Sequence, residues 1–98
     1  MRQERNAIIQ YLSIKGHLVF RMNSGAMKID KRFLRFGVAG MADILMIHEG
    51  RAIWIEVKTP TGRMSDLQKA FRAVVEAAGC WYYLATSIDD VINLEKLL

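Results

Sequence analysis

The alternation of apolar and polar residues along the chain predicts helices interspersed with short strands. Positions 2–15 carry apolar residues at helical spacing and are followed by Gly16, a residue type that commonly ends helices. The same spacing predicts a second helix over 65–78 and a short third helix that starts at Ser87. Glu4 falls on the apolar face of the first helix, so we expect its carboxylate to point inward.

Four apolar segments have the length and the β-branched or aromatic content of strands, at positions 17–23, 41–47, 52–58 and 80–85. Glu49-Gly50 permits a tight hairpin between the second and third of them, because glycine tolerates positive φ. The basic segment 28–36 fits either a short strand or a mobile loop. The order α-β-(β)-β-β-α-β-α predicts a single α/β domain over residues 1–98, a layer sandwich in which helices flank a mixed sheet.

A hairpin that turns symmetrically about Glu49-Gly50 brings two carboxylates together, because Asp43 then faces Glu56 as Ile47 faces Ala52. Like charges in directly opposed positions destabilise a sheet. The flanking residues are apolar, so the pair needs a compensating cation. Lys58 projects from the same face as Glu56 and supplies one charge. A divalent metal would supply more, and the alternative is an Asp–Lys–Glu cluster that neutralises itself.

Oxygen ligands without cysteine thiolates favour Mg²⁺ or Mn²⁺. Glu4 would add a third carboxylate or hold a water of the ion. Such an ion polarises a scissile phosphate. Lys58 would orient or deprotonate the attacking water, or stabilise the negative charge that develops on the phosphate.

Composition excludes several classes of protein. A chain of 98 residues with 24% charged residues and one proline is neither disordered nor long enough for two domains. No apolar run approaches the ~20 residues of a membrane span, and the N-terminus lacks the apolar core of a signal peptide. The single cysteine, Cys80, indicates a reducing cytoplasm. A hydrophobic content of 52% predicts that some apolar surface is shared with a second copy.

The net charge of +4 is unevenly distributed, since residues 1–72 carry thirteen Lys and Arg against six Asp and Glu. This imbalance suggests a polyanionic partner such as nucleic acid, but charge alone does not separate that interpretation from a solvated surface. The candidate DNA-contacting residues share a basic or amide side chain, and they are Arg21, Asn23, Lys28, Lys31, Arg32, Arg35, Arg63 and Lys69.

Two serines have the spacing that begins a helix. Ser65-x-x-Gln68 is a capping box, so the ordinary role of Gln68 is to close the start of the second helix. Ser87-x-x-Asp90 begins the third helix in the same way.

Trp54 shares the Glu56 face and is assigned to the core rather than to base stacking.

Together these motifs resemble the virus-type replication-repair nuclease (VRR-NUC) domain of the PD-(D/E)xK nuclease superfamily. The matching residues extend over nearly the whole chain and are Glu4, Arg21-Met22-Asn23, Gly40-x-x-Asp43, Glu56-x-Lys58 and Lys58-Thr-Pro-Thr-Gly62-Arg63-Met64-Ser65-x-x-Gln68. The family commonly has proline before the motif aspartate, where this chain has Ala42. Alanine removes no ligand, so the expectation of catalysis stands.

The resemblance implies a restriction-endonuclease-like fold with Mg²⁺ or Mn²⁺ bound by Glu4, Asp43, Glu56 and the Val57 carbonyl. Lys58 would be the catalytic lysine, and Gln68 would complete the site. The implied activity is endonucleolytic cleavage of branched DNA such as four-way (Holliday) junctions, in DNA repair. We expect a homodimer in the cytoplasm of a bacterial or phage-infected cell, with no membrane and no small-molecule cofactor. The alternatives are a non-catalytic nucleic-acid-binding module on this fold and a nuclease for flaps or single-strand ends.

Overall fold

The computed structural model describes residues 2–22, 25–29, 32–36 and 39–98, with side chains described outside Arg2 and 25–36. These residues form the helices α1 (Arg2–Ile14), α2 (Asp66–Ala77) and α3 (Ile88–Glu95), and the strands β1 (Leu18–Arg21), β2 (Gly25–Ile29), β3 (Arg32–Phe36), β4 (Ile44–His48), β5 (Arg51–Val57) and β6 (Trp81–Ala85). None of the helices in this part of the chain is long and apolar enough to cross a bilayer.

Four of the strands form a mixed sheet in the order β1-β4-β5-β6. β4 is antiparallel to both β1 and β5, whereas β6 is parallel to β5 and follows it through α2. The β4–β5 ladder pairs Ile47 with Ala52, which confirms the predicted register. Glu49 and Gly50 at the turn both have positive φ, of 50° and 80°, as a two-residue hairpin turn requires.

Helices α1 and α3 cover one face of this sheet. Ile8 and Leu12 of α1 are completely buried, and they pack with buried residues of α3 and with Ile53 and Ile55 of β5. Each such side chain contributes about 1.5–3 kcal/mol by leaving water. Because alternate residues of a strand point to opposite faces, Trp54 and Glu56 are directed to the other side of the sheet.

Helix α2 covers that other side, and it begins with the capping box that the sequence predicts. The Ser65 hydroxyl oxygen accepts a hydrogen bond from the Gln68 backbone N–H at 3.2 Å, and the Gln68 side chain accepts one from the Ser65 N–H at 2.9 Å. Phe71 of α2 packs edge-on against Trp54, with 5.0 Å between ring centroids. Trp54 is therefore part of the core, as expected.

The basic segment, which the sequence left open between strand and loop, contributes to two strands. β2 and β3 pair antiparallel, with Gly25 opposite Phe36 and Ile29 opposite Arg32, in a two-stranded sheet of their own. We call residues 25–36 the basic hairpin. Gly25 is the first residue of β2, and its backbone takes part in this ladder.

The first predicted strand is shorter than expected, and the third helix begins differently. β1 ends at Arg21, because its partner strand β4 begins at the paired residue, Ile44. α3 starts after Ser87, but the Ser87 side chain makes no capping bond. The Asp90 carboxylate instead accepts hydrogen bonds from the backbone N–H and the hydroxyl of Thr86, each at 2.7 Å.

Candidate active site

Asp43 and Glu56 lie at the end of the β4–β5 hairpin that is away from its turn. Asp43 immediately precedes β4, and extending the ladder by one residue beyond Ile44 and Ile55 brings it opposite Glu56. The Asp43 Oδ2 accepts a hydrogen bond from the Val57 N–H at 2.9 Å. Its carbonyl accepts one from the Met22 N–H at 2.8 Å. Hydrogen bonds from β5 on one side and from the residue after β1 on the other therefore hold Asp43 in place.

Glu56 is buried, with 3% of its surface exposed, and it is the one buried charged residue among the side chains that the structure describes. Its Oε2 accepts a hydrogen bond from the Gln68 Nε2 at 3.1 Å and lies 3.6 Å from the Lys58 Nζ. Its Oε1 has no hydrogen-bond partner among the described residues. One carboxylate oxygen is thus satisfied, and the other is a buried acceptor that no described residue reaches.

Burial raises the pKa of Glu56 to about 7, and the neighbouring negative charge of Asp43 adds to the effect. Lys58 acts in the opposite direction but does not offset the two. Glu56 is therefore protonated more readily than an ordinary glutamate. An additional cation beside the two carboxylates would favour the ionised form.

Gln68 connects the start of α2 with this carboxylate pair. Its Oε1 accepts from the Ser65 N–H, while its Nε2 donates to the Glu56 Oε2. The capping role and the site role, which the sequence presents as alternatives, are therefore both filled by one side chain. Lys58 reaches Glu56 from the end of β5, where its own N–H donates to the Ala85 carbonyl at 2.9 Å.

The segment that leads into Asp43 passes very close to the start of α2. Gly40 has a φ of +80°, and a Cβ placed there would lie 2.3 Å from the carbonyl oxygen of Leu67. A side chain at position 40 would therefore separate the two segments. Glycine in the Gly40-x-x-Asp43 motif lets the backbone approach closely, which places Asp43 near Gln68 and Glu56.

Arg5 belongs to this cluster, although the sequence analysis did not single it out. Its Nη1 lies 3.8 Å from the Asp43 Oδ1, and its side chain is 18% exposed. Its Nε is buried and meets no acceptor among the described residues. The signal that could have found it is its spacing, because Arg5 precedes the buried Ile8 by three residues and so shares its helix face.

The structure brings only part of the predicted ligand set together. Glu4 is half-buried in the first turn of α1, and within the described chain no hydrogen bond or ion pair joins it to Asp43 or Glu56. No group of three or more His, Cys, Asp or Glu residues in the described ranges is arranged to hold a metal ion. The full set of Glu4, Asp43, Glu56 and the Val57 carbonyl stays a prediction.

The predicted DNA-contacting residues are spread over several elements. Arg21 is exposed at the end of β1, and Arg63 and Lys69 are exposed beside the start of α2. Lys28, Arg32 and Arg35 lie on the strands of the basic hairpin, where the structure describes only the backbone. Asn23 and Lys31 lie outside the described residues.

The two histidines lie at the opposite end of the sheet. The His17 Nε2 is 2.7 Å from a carboxylate oxygen of Glu95, whose other oxygen accepts from the Tyr11 hydroxyl at 2.5 Å. His48 is the last residue of β4 and is half-buried, with its ring centroid 6.1 Å from that of His17. His48 therefore belongs to the end of the strand rather than to the Glu49-Gly50 turn, and its ring packs against that of His17.

Compared with known proteins, the chain matches no protein-family model and no curated protein. The functional interpretation therefore rests on the geometry of the site and on the motifs themselves.

Proposed function

We propose that the protein is a Mg²⁺- or Mn²⁺-dependent nuclease that hydrolyses phosphodiester bonds in branched DNA. The observation that carries the proposal is the buried Glu56 beside Asp43, with an unsatisfied carboxylate oxygen and with Lys58 on the same side. Protein interiors rarely hold two neighbouring carboxylates without a cation that stabilises them. Perturbed carboxylates of this kind are typical of functional sites.

The residues present fit a divalent ion. Mg²⁺ commonly takes one or two carboxylates and completes its coordination with water and phosphate oxygens. Asp43, Glu56 and the Val57 carbonyl would hold the ion, with Glu4 as a further candidate. When bound, the ion would polarise the scissile phosphate and make a nearby water easier to deprotonate.

The chain's own residues would position this chemistry. Gln68 holds the Glu56 Oε2, and the Val57 N–H holds the Asp43 Oδ2, so both carboxylates have a fixed orientation. Lys58 is 20% exposed and therefore reaches the open side of the site. There its ammonium group would orient the attacking water or stabilise the negative charge that develops on the phosphate.

The architecture and the charge agree with this activity. The structure has a mixed sheet flanked by helices, with the two carboxylates at the ends of neighbouring strands, and this α/β architecture supports the proposal. The basic hairpin carries Lys28, Lys31, Arg32 and Arg35 against Asp30, a surplus of three positive charges. We propose that this segment contacts DNA phosphates.

We also propose that the protein acts as a homodimer. Several large apolar side chains are exposed in the described part of the chain, including Leu18 and Phe20 on the edge strand β1. Two sites related by a two-fold axis would suit paired cuts in a symmetric four-way junction. Light scattering at high micromolar concentration tests this, and a monomer would contradict it.

A second candidate is a nucleic-acid-binding module without catalysis. It is favoured by the arrangement of charge, because Arg5 lies beside Asp43 and Lys58 lies beside Glu56. The two carboxylates and the two cations neutralise one another without a metal. Calorimetric titration with Mn²⁺ separates the two functions, since a module of this kind would bind no metal at the site.

The nuclease proposal is tested by cleavage of a labelled four-way junction with Mn²⁺. We expect Asp43→Asn, Glu56→Gln and Lys58→Met each to slow cleavage by about a hundredfold or more, because Asp43 and Glu56 would hold the ion and Lys58 would act on the attacking water or the phosphate. Glu76→Gln is the matched control, since this exposed carboxylate on α2 pairs with Arg72 and should leave the rate unchanged.

Full activity in all three site variants would contradict the proposal. The same assay on a panel of flapped, single-stranded and linear DNAs identifies the preferred substrate. If the protein cleaved flaps or strand ends in place of junctions, the proposed nuclease activity would stand and only its proposed substrate would change.

A further inference from the structure

Arg5 is the member of this cluster to which the proposed function gives no role. Asp43 uses its Oδ2 to accept the Val57 N–H, and its Oδ1 faces the Arg5 guanidinium at 3.8 Å. This distance is too long for a direct hydrogen bond. The Arg5 Nε, which is buried, has no acceptor within the described ranges. The guanidinium is therefore held near Asp43 by charge and burial, without the paired hydrogen bonds that would lock it there.

Arg5 places a positive charge beside Asp43, because a guanidinium group is a cation. Opposite charges at this separation attract, and the attraction is stronger for a partly buried pair than in bulk water. The attraction to Asp43 therefore favours the metal-free arrangement. A divalent cation at Asp43 would meet the same positive charge as repulsion.

We infer that Arg5 is a counter-ion that competes with the metal for Asp43, so that it stabilises the metal-free site and weakens metal binding in the absence of DNA. The inference rests on the proposed function, and it concerns how the same site is regulated. Arg5 acts through Asp43 and is a positioning residue. An arginine that only supported the fold or helped to assemble the site would have the opposite effect, because its loss would weaken metal binding.

The test is calorimetric titration of Mn²⁺ into the DNA-free protein at one fixed pH and in one buffer for wild type and all variants. We expect Arg5→Met, which keeps the apolar stem and removes the charge, to tighten the Kd for Mn²⁺ by about tenfold. Arg5→Lys keeps the charge and should bind Mn²⁺ within about twofold of wild type. If Arg5→Met does not fold, Arg5→Gln provides the same neutral comparison.

Arg51→Gln is the control for the loss of one positive charge, because Arg51 lies at the turn end of β5 and packs over the ring of Trp81. Its Kd for Mn²⁺ should stay at the wild-type value. Thermal unfolding gives a second readout. Arg5→Met should melt below wild type without metal, and saturating Mn²⁺ should raise its melting temperature by more than it raises that of wild type.

The outcomes separate this inference from the proposed function. Unchanged or weaker Mn²⁺ binding in the neutral Arg5 variants, with normal binding by wild type, would overturn the role of Arg5 and leave the metal site standing. Equal tightening in Arg51→Gln would also overturn it, because the effect would then reflect net charge alone. Failure of every protein to bind Mn²⁺ would overturn the metal-dependent function itself, and the inference with it.

Discussion

Glu56 occupies a place that carboxylates rarely take in folded proteins. It is buried beside a second carboxylate, and one of its oxygens has no partner among the described residues. Removal of an ionised carboxylate from water costs free energy that one lysine and one amide do not fully recover here. The raised pKa of Glu56, about 7, expresses this cost. A buried group that destabilises the fold is typical of a functional site.

The same shift predicts how stability depends on pH. Because the pKa of Glu56 is raised from 4.5 to about 7 on folding, the protonated form stabilises the fold below 4.5, and this contribution is lost as the pH rises through 7. Glu56→Gln imitates the protonated form, so it should match wild type at low pH and be more stable above neutrality. The difference is at most about 3 kcal/mol, and water at the open side of the site reduces it.

Urea denaturation of both proteins with a chelator, between about pH 5 and pH 8, measures this difference. Parallel stability curves for wild type and Glu56→Gln would show that Glu56 does not titrate between these limits. The amide is close in size to the carboxylate, so packing changes little between the two proteins.

At the scale of elements, the first turn of α2 organises the site. The segment 39–43 crosses it at Gly40, Ser65 caps it, and Gln68 extends from it to Glu56. One short stretch of helix therefore determines both where Asp43 lies before β4 and how the Glu56 carboxylate is held. The Gly40-x-x-Asp43 motif provides one segment of this contact, and the Ser65-x-x-Gln68 motif provides the other.

Two glycines with the same backbone angle provide a matched test of that contact. Gly40 and Gly50 both have a φ of +80°, but a Cβ at Gly50 meets nothing within 4 Å. Gly50→Ala should lower the free energy of unfolding by about 1–2 kcal/mol, which is the cost of the left-handed backbone alone. Gly40→Ala should lower it by about 1–3 kcal/mol more, because the methyl group meets the Leu67 carbonyl.

Chemical denaturation of the two variants measures both values. Gly40→Ala should also weaken Mn²⁺ binding, since the displaced segment carries Asp43, whereas Gly50→Ala should not. Equal losses of stability in the two variants would mean that the backbone at Gly40 relaxes away from α2 without difficulty.

At the scale of the whole molecule, positive charge and the carboxylate site belong to the same part of the chain. Residues 1–72 hold thirteen of the fourteen Lys and Arg residues, whereas 73–98 hold Lys96 alone. The basic hairpin forms a separate sheet, outside the four strands that carry the site. Loss of its charges should therefore affect DNA binding and leave the core of the fold unchanged.

Replacement of Lys28, Lys31, Arg32 and Arg35 by serine should reduce the salt dependence of DNA binding. If each side chain neutralises one phosphate, the slope of log K against log salt becomes shallower by about 3.6. Fluorescence anisotropy with a labelled junction, in the Glu56→Gln background, measures the slope without cleavage. The control is the loss of Lys15 and Lys96, two exposed cations at the other end of the sheet, which should leave the slope unchanged.

Local sequence determined a large part of the fold and the centre of the site. The Glu49-Gly50 turn with apolar strands on either side specifies the β4–β5 register, because a two-residue turn leaves one pairing that keeps the apolar faces aligned. That register brings Asp43 opposite Glu56. The capping box at Ser65 and the end of α1 before Gly16 were predictable for the same reason, since each depends on residues within one helical turn.

Tertiary structure alone decided how the helices complete the site. The Arg5–Asp43 contact, the bond from Gln68 to Glu56 and the approach of Gly40 to Leu67 join segments that are distant in sequence. Such contacts depend on how α1 and α2 pack across the sheet, which periodicity does not encode. The burial that raises the pKa of Glu56 likewise arises only when α2 closes over its face of the sheet. The pattern of apolar and polar residues determines the type of each element and its apolar face. The packing of the helices against the sheet determines which polar groups meet and at what distance.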